Sequence, residues 1–223
     1  MISDDTRRIF STEVQIVPDR ISHEEVENIL CQIPEWRLRK ALSYRFDIDR
    51  YLCAGSFLLL EKMLRENFGL CHCPEFSYGE HGKPFLKEYP GIHFNISHCR
   101  KGIACAVSDR PVGIDIEEMQ YDALLAQTVL NPEERSLVEM SDEPEVKFTE
   151  FWTRKESFLK LSGEGIRDDL KNILSYTGEA SFLTECNRDV GYVISTFIRT
   201  DRRTKQLLRP MPAVDLGGAR LGI

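Results

Sequence analysis

The stretch Phe148-Thr-Glu-Phe-Trp-Thr-Arg-Lys-Glu-Ser-Phe-Leu-Lys-Leu-Ser-Gly163 leaves the backbone little choice. Proline is absent from it, and Phe148, Phe151, Trp152, Phe158, Leu159 and Leu161 are too clustered for a strand. Gly163 and Gly165 then offer left-handed stops. The spacing predicts a helix. Its periodicity puts Trp152, Glu156 and Lys160 on one face, each four residues after the last, with Lys155 and Leu159 on the shoulders. Taken alone, this is a core helix with solvated Lys–Glu partners.

A second stretch gives those charges another use. Val112-Gly-Ile-Asp-Ile-Glu117 alternates strictly, so in a strand Val112, Ile114 and Ile116 face one side and Gly113, Asp115 and Glu117 the other. The intervening chain is long enough to bring the helix back onto this strand, where Asp115, Glu117 and Glu156 can converge. Three carboxylates at one point repel unless a cation neutralises them. All-oxygen ligands select a hard ion, Mg²⁺, which takes few protein carboxylates and keeps positions for water and phosphate oxygens. Lys155 and Lys160 suit the same anion. The local chemistry is that of metal-assisted transfer at a phosphate or pyrophosphate.

Elsewhere the patterns are shorter. Ile9 to Val17 alternates as a strand, Ser22-His-Glu-Glu25 is a capping box, and Pro34 opens a further helical turn carrying Arg37, Arg39, Lys40 and Arg45. Asp47 opens a long helix that stops at Gly69. Phe76–Gly79 and Pro84–Leu86 read as short strands around a turn with Lys83 at its tip. His93–His98 alternates, with Phe94 and Ile96 on one face and His93, Asn95 and Ser97 on the other. Ile103–Ser108 is a compact strand, and with Val112–Glu117 it forms an expected three-stranded antiparallel meander. Asn131-Pro132 starts a helix. The acidic residues from Glu133 to Glu150 read as a solvated face. Ile173–Tyr176 and Ala180–Leu183 are weak strand candidates and Tyr192–Ile198 a good one.

With 223 residues, 42% of them hydrophobic, the chain can bury one large core or two small ones. The net charge of -7 argues against nucleic acid as a partner, since phosphate backbones reward a basic surface. There is no apolar run of membrane-spanning length and no signal-peptide pattern at the N-terminus, so a cytoplasmic, membrane-free location is expected. Seven cysteines without framework spacing read as reduced thiols; zinc at Cys71-His72-Cys73 is the alternative, without the usual gap.

Gly82-Lys83-Pro84, Phe94-Asn-Ile-Ser-His98, Val112-Gly-Ile-Asp-Ile-Glu117 and Phe151-Trp-Thr-Arg-Lys-Glu-Ser-Phe-Leu-Lys160, in that order, resemble the signature of the 4'-phosphopantetheinyl transferases of the Sfp type. The likeness runs from about Asp47 to Gly165. It implies an α+β fold of two similar αβ halves related by a pseudo-twofold axis, each a small, mainly antiparallel sheet with a long helix, and an active site between them. Residues 1–108 would form the half on the nucleotide side of coenzyme A and residues 109–223 the half with the metal site. The implied reaction is Mg²⁺-dependent transfer of the 4'-phosphopantetheine arm of coenzyme A to a serine of an acyl or peptidyl carrier protein. Mg²⁺ would be held by Asp115, Glu117 and Glu156. Glu156 is the candidate base, although ligation would depress its basicity. The resemblance further places Lys160 at the developing charge, Lys155 as an aid to binding, Ser97 and His98 on the pyrophosphate and Lys83 on a nucleotide phosphate. Arg50, of the Asp-x-x-Arg pattern, falls near the nucleotide end or forms a helix-surface salt bridge with Asp47. The 3'-phosphate falls to the Arg37, Arg39, Lys40 and Arg45 region without a choice among the four. A monomer is expected.

Two other readings compete: a different Mg²⁺-dependent phosphotransferase or pyrophosphohydrolase, and a protein that binds coenzyme A or a carrier without turnover. The second draws on the tail. From Arg199 the chain turns basic and then, from Pro210 to Ile223, Pro/Gly-rich, where the family usually adds a last apolar strand.

Overall fold

The computed structural model describes residues 9–72, 74–163, 170–176, 178 and 180–200. Strand β1 (Phe10–Ile16) leads into α1 (His23–Leu30), whose capping box closes between Ser22 and Glu25, and α2 (Glu35–Leu42). The long helix α3 (Asp47–Phe68) ends where Gly69 takes the left-handed conformation at φ 70°. A small hairpin, β2 (Ser77–Tyr78) with β3 (Pro84–Phe85), precedes β4 (His93–His98) and β5 (Gly102–Ser108). The first main sheet has the order β1-β5-β4, antiparallel throughout. Ile103, Cys105 and Val107 of β5 meet Phe57, Leu60, Met63 and Leu64 of α3 in the larger core.

The second sheet has the order β6-β8-β7, also antiparallel, from β6 (Val112–Glu118), β7 (Ala180–Asn187) and β8 (Tyr192–Arg199). Helices α4 (Ala123–Val129), α5 (Pro132–Glu139) and α6 (Pro144–Ser162) fill the connection. Helix α6 lies across β6 and β8, and Gly113 permits the approach: a Cβ there would stand 2.0 Å from the Ser157 carbonyl oxygen. The opposite face of β6, Val112, Ile114 and Ile116, packs on Ala104 and Ala106 of β5. Two small antiparallel sheets thus meet, each with a long helix on its far side.

Three expectations change. The meander does not form: β5 spends its second edge on β1, pairing Phe10↔Ser108 through Ile16↔Gly102, and β6 pairs with β8. Residues Ile173–Tyr176 are not a strand; they lie in a 3-10 helix, Leu170–Tyr176, whose first carbonyls turn towards α6. Helix α4 carried no predicted element. Its Asp122 cap, accepting from the Leu124 and Leu125 N–H groups, was the available signal. Of the atypical tail that begins at Arg199, residues 201–223 lie outside the described residues, as does the stop at Gly165. Among the described residues no helix is long and apolar enough to cross a membrane.

Candidate functional site

Strand β4 runs beside the free edge of β6, and side chains there replace a backbone ladder. Asn95 Oδ1 accepts from the Ile114 N–H at 2.8 Å, and Ser97 Oγ donates to Asp115 Oδ1 at 2.8 Å. From α6, Lys160 Nζ reaches the same Asp115 oxygen at 2.5 Å and Ser97 Oγ at 2.9 Å. A hydroxyl from one sheet and an ammonium from the helix of the other therefore meet on one carboxylate. Asp115 is 2% exposed, and its second oxygen, Oδ2, is buried without a partner. Burying a charged oxygen unpaired is costly, so this atom asks for a ligand.

Glu117 and Glu156 flank it. Burial, together with the Asp115 charge, pushes Glu117 up to about 7, against the opposing pull of Lys160 and a hydrogen bond from Trp152. Burial and Asp115 likewise raise Glu156 above the ordinary carboxylate range. At the exposed end of β4, the surrounding protein desolvates the His98 ring and, with Lys160, lowers its pKa, favouring the neutral imidazole. The set resists carrying its full negative charge, as expected where a cation belongs. Its donors are all oxygens with one left open, which fits a hard divalent ion. The convergence expected of Asp115, Glu117 and Glu156 is nonetheless incomplete. Among the described residues no three His, Cys, Asp or Glu side chains stand close enough to enclose a metal, and Asp115 Oδ1 is paired with the Lys160 ammonium.

A cleft of about 250 Å³ opens onto the site, lined by His81, Gly82, Lys83, Pro84, Asn95, Glu156, Leu159, Lys160 and Gly163. Sequence reasoning gave Asn95 and His81 no role. Asn95 was within reach of it, because alternation puts that residue on the face of Ser97.

Other expected site residues make different contacts. Lys155 is fully buried on the opposite side of α6, paired with Glu134 at 2.8 Å and donating to the Leu170 and Lys171 carbonyls at 3.0 Å each. It does not face the Asp115 group, and Glu134 is not part of a solvated acidic face. Lys83 does not project from its turn: it folds inward onto main-chain carbonyls. Arg50 forms the salt bridge with Asp47, at 3.1 Å, and donates to the Tyr44 carbonyl. Of the basic cluster, Arg39 pairs with Glu35, Lys40 lies over Tyr44 and Arg45 over Phe46. Arg37 turns inward over Phe57 and Phe76, bonds the Cys53 carbonyl and leaves its buried Nε without a partner.

The profile of the 4'-phosphopantetheinyl transferase superfamily matches residues 111–201, the span of the second sheet and α6. The chain is 30% identical over 181 residues to 4'-phosphopantetheinyl transferase psf-1 of Bacillus pumilus, covering 78% of both chains. It is 39% identical over 150 residues to a 4'-phosphopantetheinyl transferase of Bacillus subtilis, covering 66% of this chain and 67% of that one. With 4'-phosphopantetheinyl transferase gsp of Aneurinibacillus migulanus it shares 40% identity over 157 residues, 67% of this chain and 64% of the other.

Proposed function

The chain belongs to the 4'-phosphopantetheinyl transferase superfamily, among the Sfp-type enzymes, and from that premise we propose that it transfers the 4'-phosphopantetheine arm of coenzyme A to a serine of an acyl or peptidyl carrier protein. The serine oxygen attacks the β-phosphorus, the bond to the α-phosphate oxygen breaks, and adenosine 3',5'-bisphosphate leaves. The observation that carries the reading is the meeting of Ser97 and Lys160 on Asp115, beside a buried carboxylate oxygen with no partner.

In this reading Asp115, Glu117 and Glu156 hold Mg²⁺, which when bound neutralises charge building on the pyrophosphate. Ser97 and an N–H of His98 donate to pyrophosphate oxygens, and Lys160 moves its ammonium from Asp115 towards the leaving phosphate. Glu156, directly or through a water, is the candidate to accept the serine proton, although holding Mg²⁺ would depress its basicity. Arg50 and one of the Arg37, Arg39, Lys40 and Arg45 group serve the nucleotide end. Arg37, inward-facing with an unpartnered Nε, is the member we choose. The two sheets would belong to pseudo-twofold halves, 1–108 and 109–223, of a cytoplasmic monomer.

The test is intact mass spectrometry of an apo carrier protein incubated with this protein, coenzyme A and Mg²⁺, beside samples with EDTA or Asp115→Ala. A gain of one phosphopantetheine arm, lost in both controls, is expected. Coenzyme A binding without any gain across several carriers would overturn the reading in favour of a non-catalytic binder.

A further inference from the structure

The turn residue Lys83 belongs to the hairpin beside the first sheet, yet its ammonium serves the second. Nζ donates to the Lys160 and Leu161 carbonyls, in the last turn of α6, at 2.5 and 3.3 Å, and to the carbonyl of Val112, the first residue of β6, at 3.1 Å. An ammonium has three N–H donors, and here three acceptors are in place for them. The last carbonyls of a helix lack intrahelical partners and carry the negative end of its dipole, so a cation is favoured there. The Lys83 stem reaches them by crossing Gly163, where a Cβ would stand 3.2 Å from Lys83 Cδ. The left-handed glycine that ends α6 therefore also clears the path of the lysine. Burial lowers the Lys83 pKa to about 8, an unfavourable environment that a solvated turn lysine would avoid.

We propose that Lys83 is a positioning residue that fixes the final turn of α6 against β6, and so aims Lys160 at Asp115 and Ser97. Lys160 is then held at both ends, its carbonyl by Lys83 and its ammonium by Asp115 and Ser97. A direct contact from Lys83 to a nucleotide phosphate would vacate three carbonyls, two of them at a helix end. The lysine therefore acts through main chain rather than on coenzyme A. The kinetic part of this inference rests on the transferase reading; the structural part does not.

Lys83→Met keeps the stem and removes the ammonium. Hydrogen exchange is expected to quicken about tenfold at the Ser162 and Gly163 amides, the loss of end-of-helix protection when charged caps go, with β1–β5 amides unchanged. The kcat at saturating coenzyme A should fall about 10- to 100-fold, as for a misplaced group, while the coenzyme A Kd stays within about threefold. Because Lys83 works through Lys160, the Lys83→Met/Lys160→Met double variant should be no slower than Lys160→Met alone. Should Lys83→Met fail to fold, Lys83→Gln, with two N–H donors and no charge, is expected to show the same changes in smaller degree. A Kd weakened about tenfold or more with kcat unchanged would make Lys83 a ligand contact and overturn the proposal. Unaltered exchange at the end of α6 would overturn it too. A wild type that transfers nothing would sink the transferase reading alone, and the exchange experiment would still decide whether Lys83 anchors α6.

Discussion

Replacing Glu134 by alanine should cost a large part of the stability of this protein, although Glu134 touches no residue of the Asp115 group. One oxygen, Glu134 Oε2, accepts both the Lys155 ammonium at 2.8 Å and the Asn131 N–H at 3.0 Å. Lys155 is 0% exposed, so its charge cannot be rehydrated without opening the α5–α6 contact. Breaking a buried pair from one side costs about 3–5 kcal/mol. The Leu170 and Lys171 carbonyls remain to solvate the ammonium, which favours the lower end of that range. Loss of half the Asn131 capping box contributes about 0.5–1 kcal/mol more. The expected total is about 4 kcal/mol, set against a stability of about 5–15 kcal/mol for an ordinary domain. Urea unfolding at neutral pH, followed through Trp36 and Trp152 fluorescence, measures it. Glu134→Leu/Lys155→Met, which leaves no buried charge, should lose less than Glu134→Ala. A loss below about 1 kcal/mol for Glu134→Ala, or a double variant equal to the sum of its singles, would refute the buried-pair argument.

The same geometry predicts that Lys155→Met, measured while still folded, leaves coenzyme A affinity within about threefold by calorimetry, since its ammonium faces α5 and the 3-10 helix. Gly113→Ala should cost more than about 3 kcal/mol or abolish soluble protein, because the new Cβ would lie 2.0 Å from the Ser157 oxygen and 2.4 Å from the Leu161 nitrogen; thermal melting and yield check it. Glu117, raised to about 7 from 4.5, is protonated more readily folded than unfolded. Its contribution to stability is therefore full below about pH 4.5 and lost as pH rises through 7, by about 1–2 kcal/mol once screening of its exposed part is allowed for. Melting temperatures in EDTA should fall across that window, and Glu117→Gln should flatten the slope. Mg²⁺ should raise the melting temperature more at pH 8 than at pH 5, because a carboxylate must lose its proton to ligate; equal shifts would argue against ligation by these acids.

What the sequence made legible was local. The end of α6 at Gly163, the capping box at Ser22, the helix start at Asn131-Pro132 and the two faces of β6 each follow from a few neighbouring residues, and each is found where the pattern puts it. Pairing was not legible in the same way. Alternation in β5 and β6 assigns faces without naming the neighbour, and β1 and β8, distant in sequence, took the edges that a meander would have joined. Lys155 and Lys160 show the same limit on a helix. Five residues at about 100° each set them about 140° apart, so they could not both face one anion, yet adjacency to Glu156 drew both into the site. Lys83 was hidden for a different reason: its turn is exposed in isolation, and the carbonyls of Lys160 and Leu161 that its ammonium meets lie far along the chain.

The candidate site follows the division between local pattern and tertiary pairing. Asp115 and Glu156 come from the second sheet and its helix, Asn95 and Ser97 from the edge strand of the first, and Asn95 and Ser97 join β4 to β6 through side chains rather than through a backbone ladder. A ladder would hold β4 and β6 in register whatever their side chains. Here the register depends on Asn95 reaching the Ile114 N–H and Ser97 reaching Asp115, so the residues that align the two sheets also furnish the site. Asn95→Ala should therefore misplace Ser97 relative to Asp115 and slow transfer while leaving both antiparallel ladders intact. Amide exchange would find β1–β5 and β6–β8 protected as before, in a protein whose carrier-modifying rate has fallen. A ladder lost together with the rate would mean that Asn95 supports the fold rather than the alignment of the site.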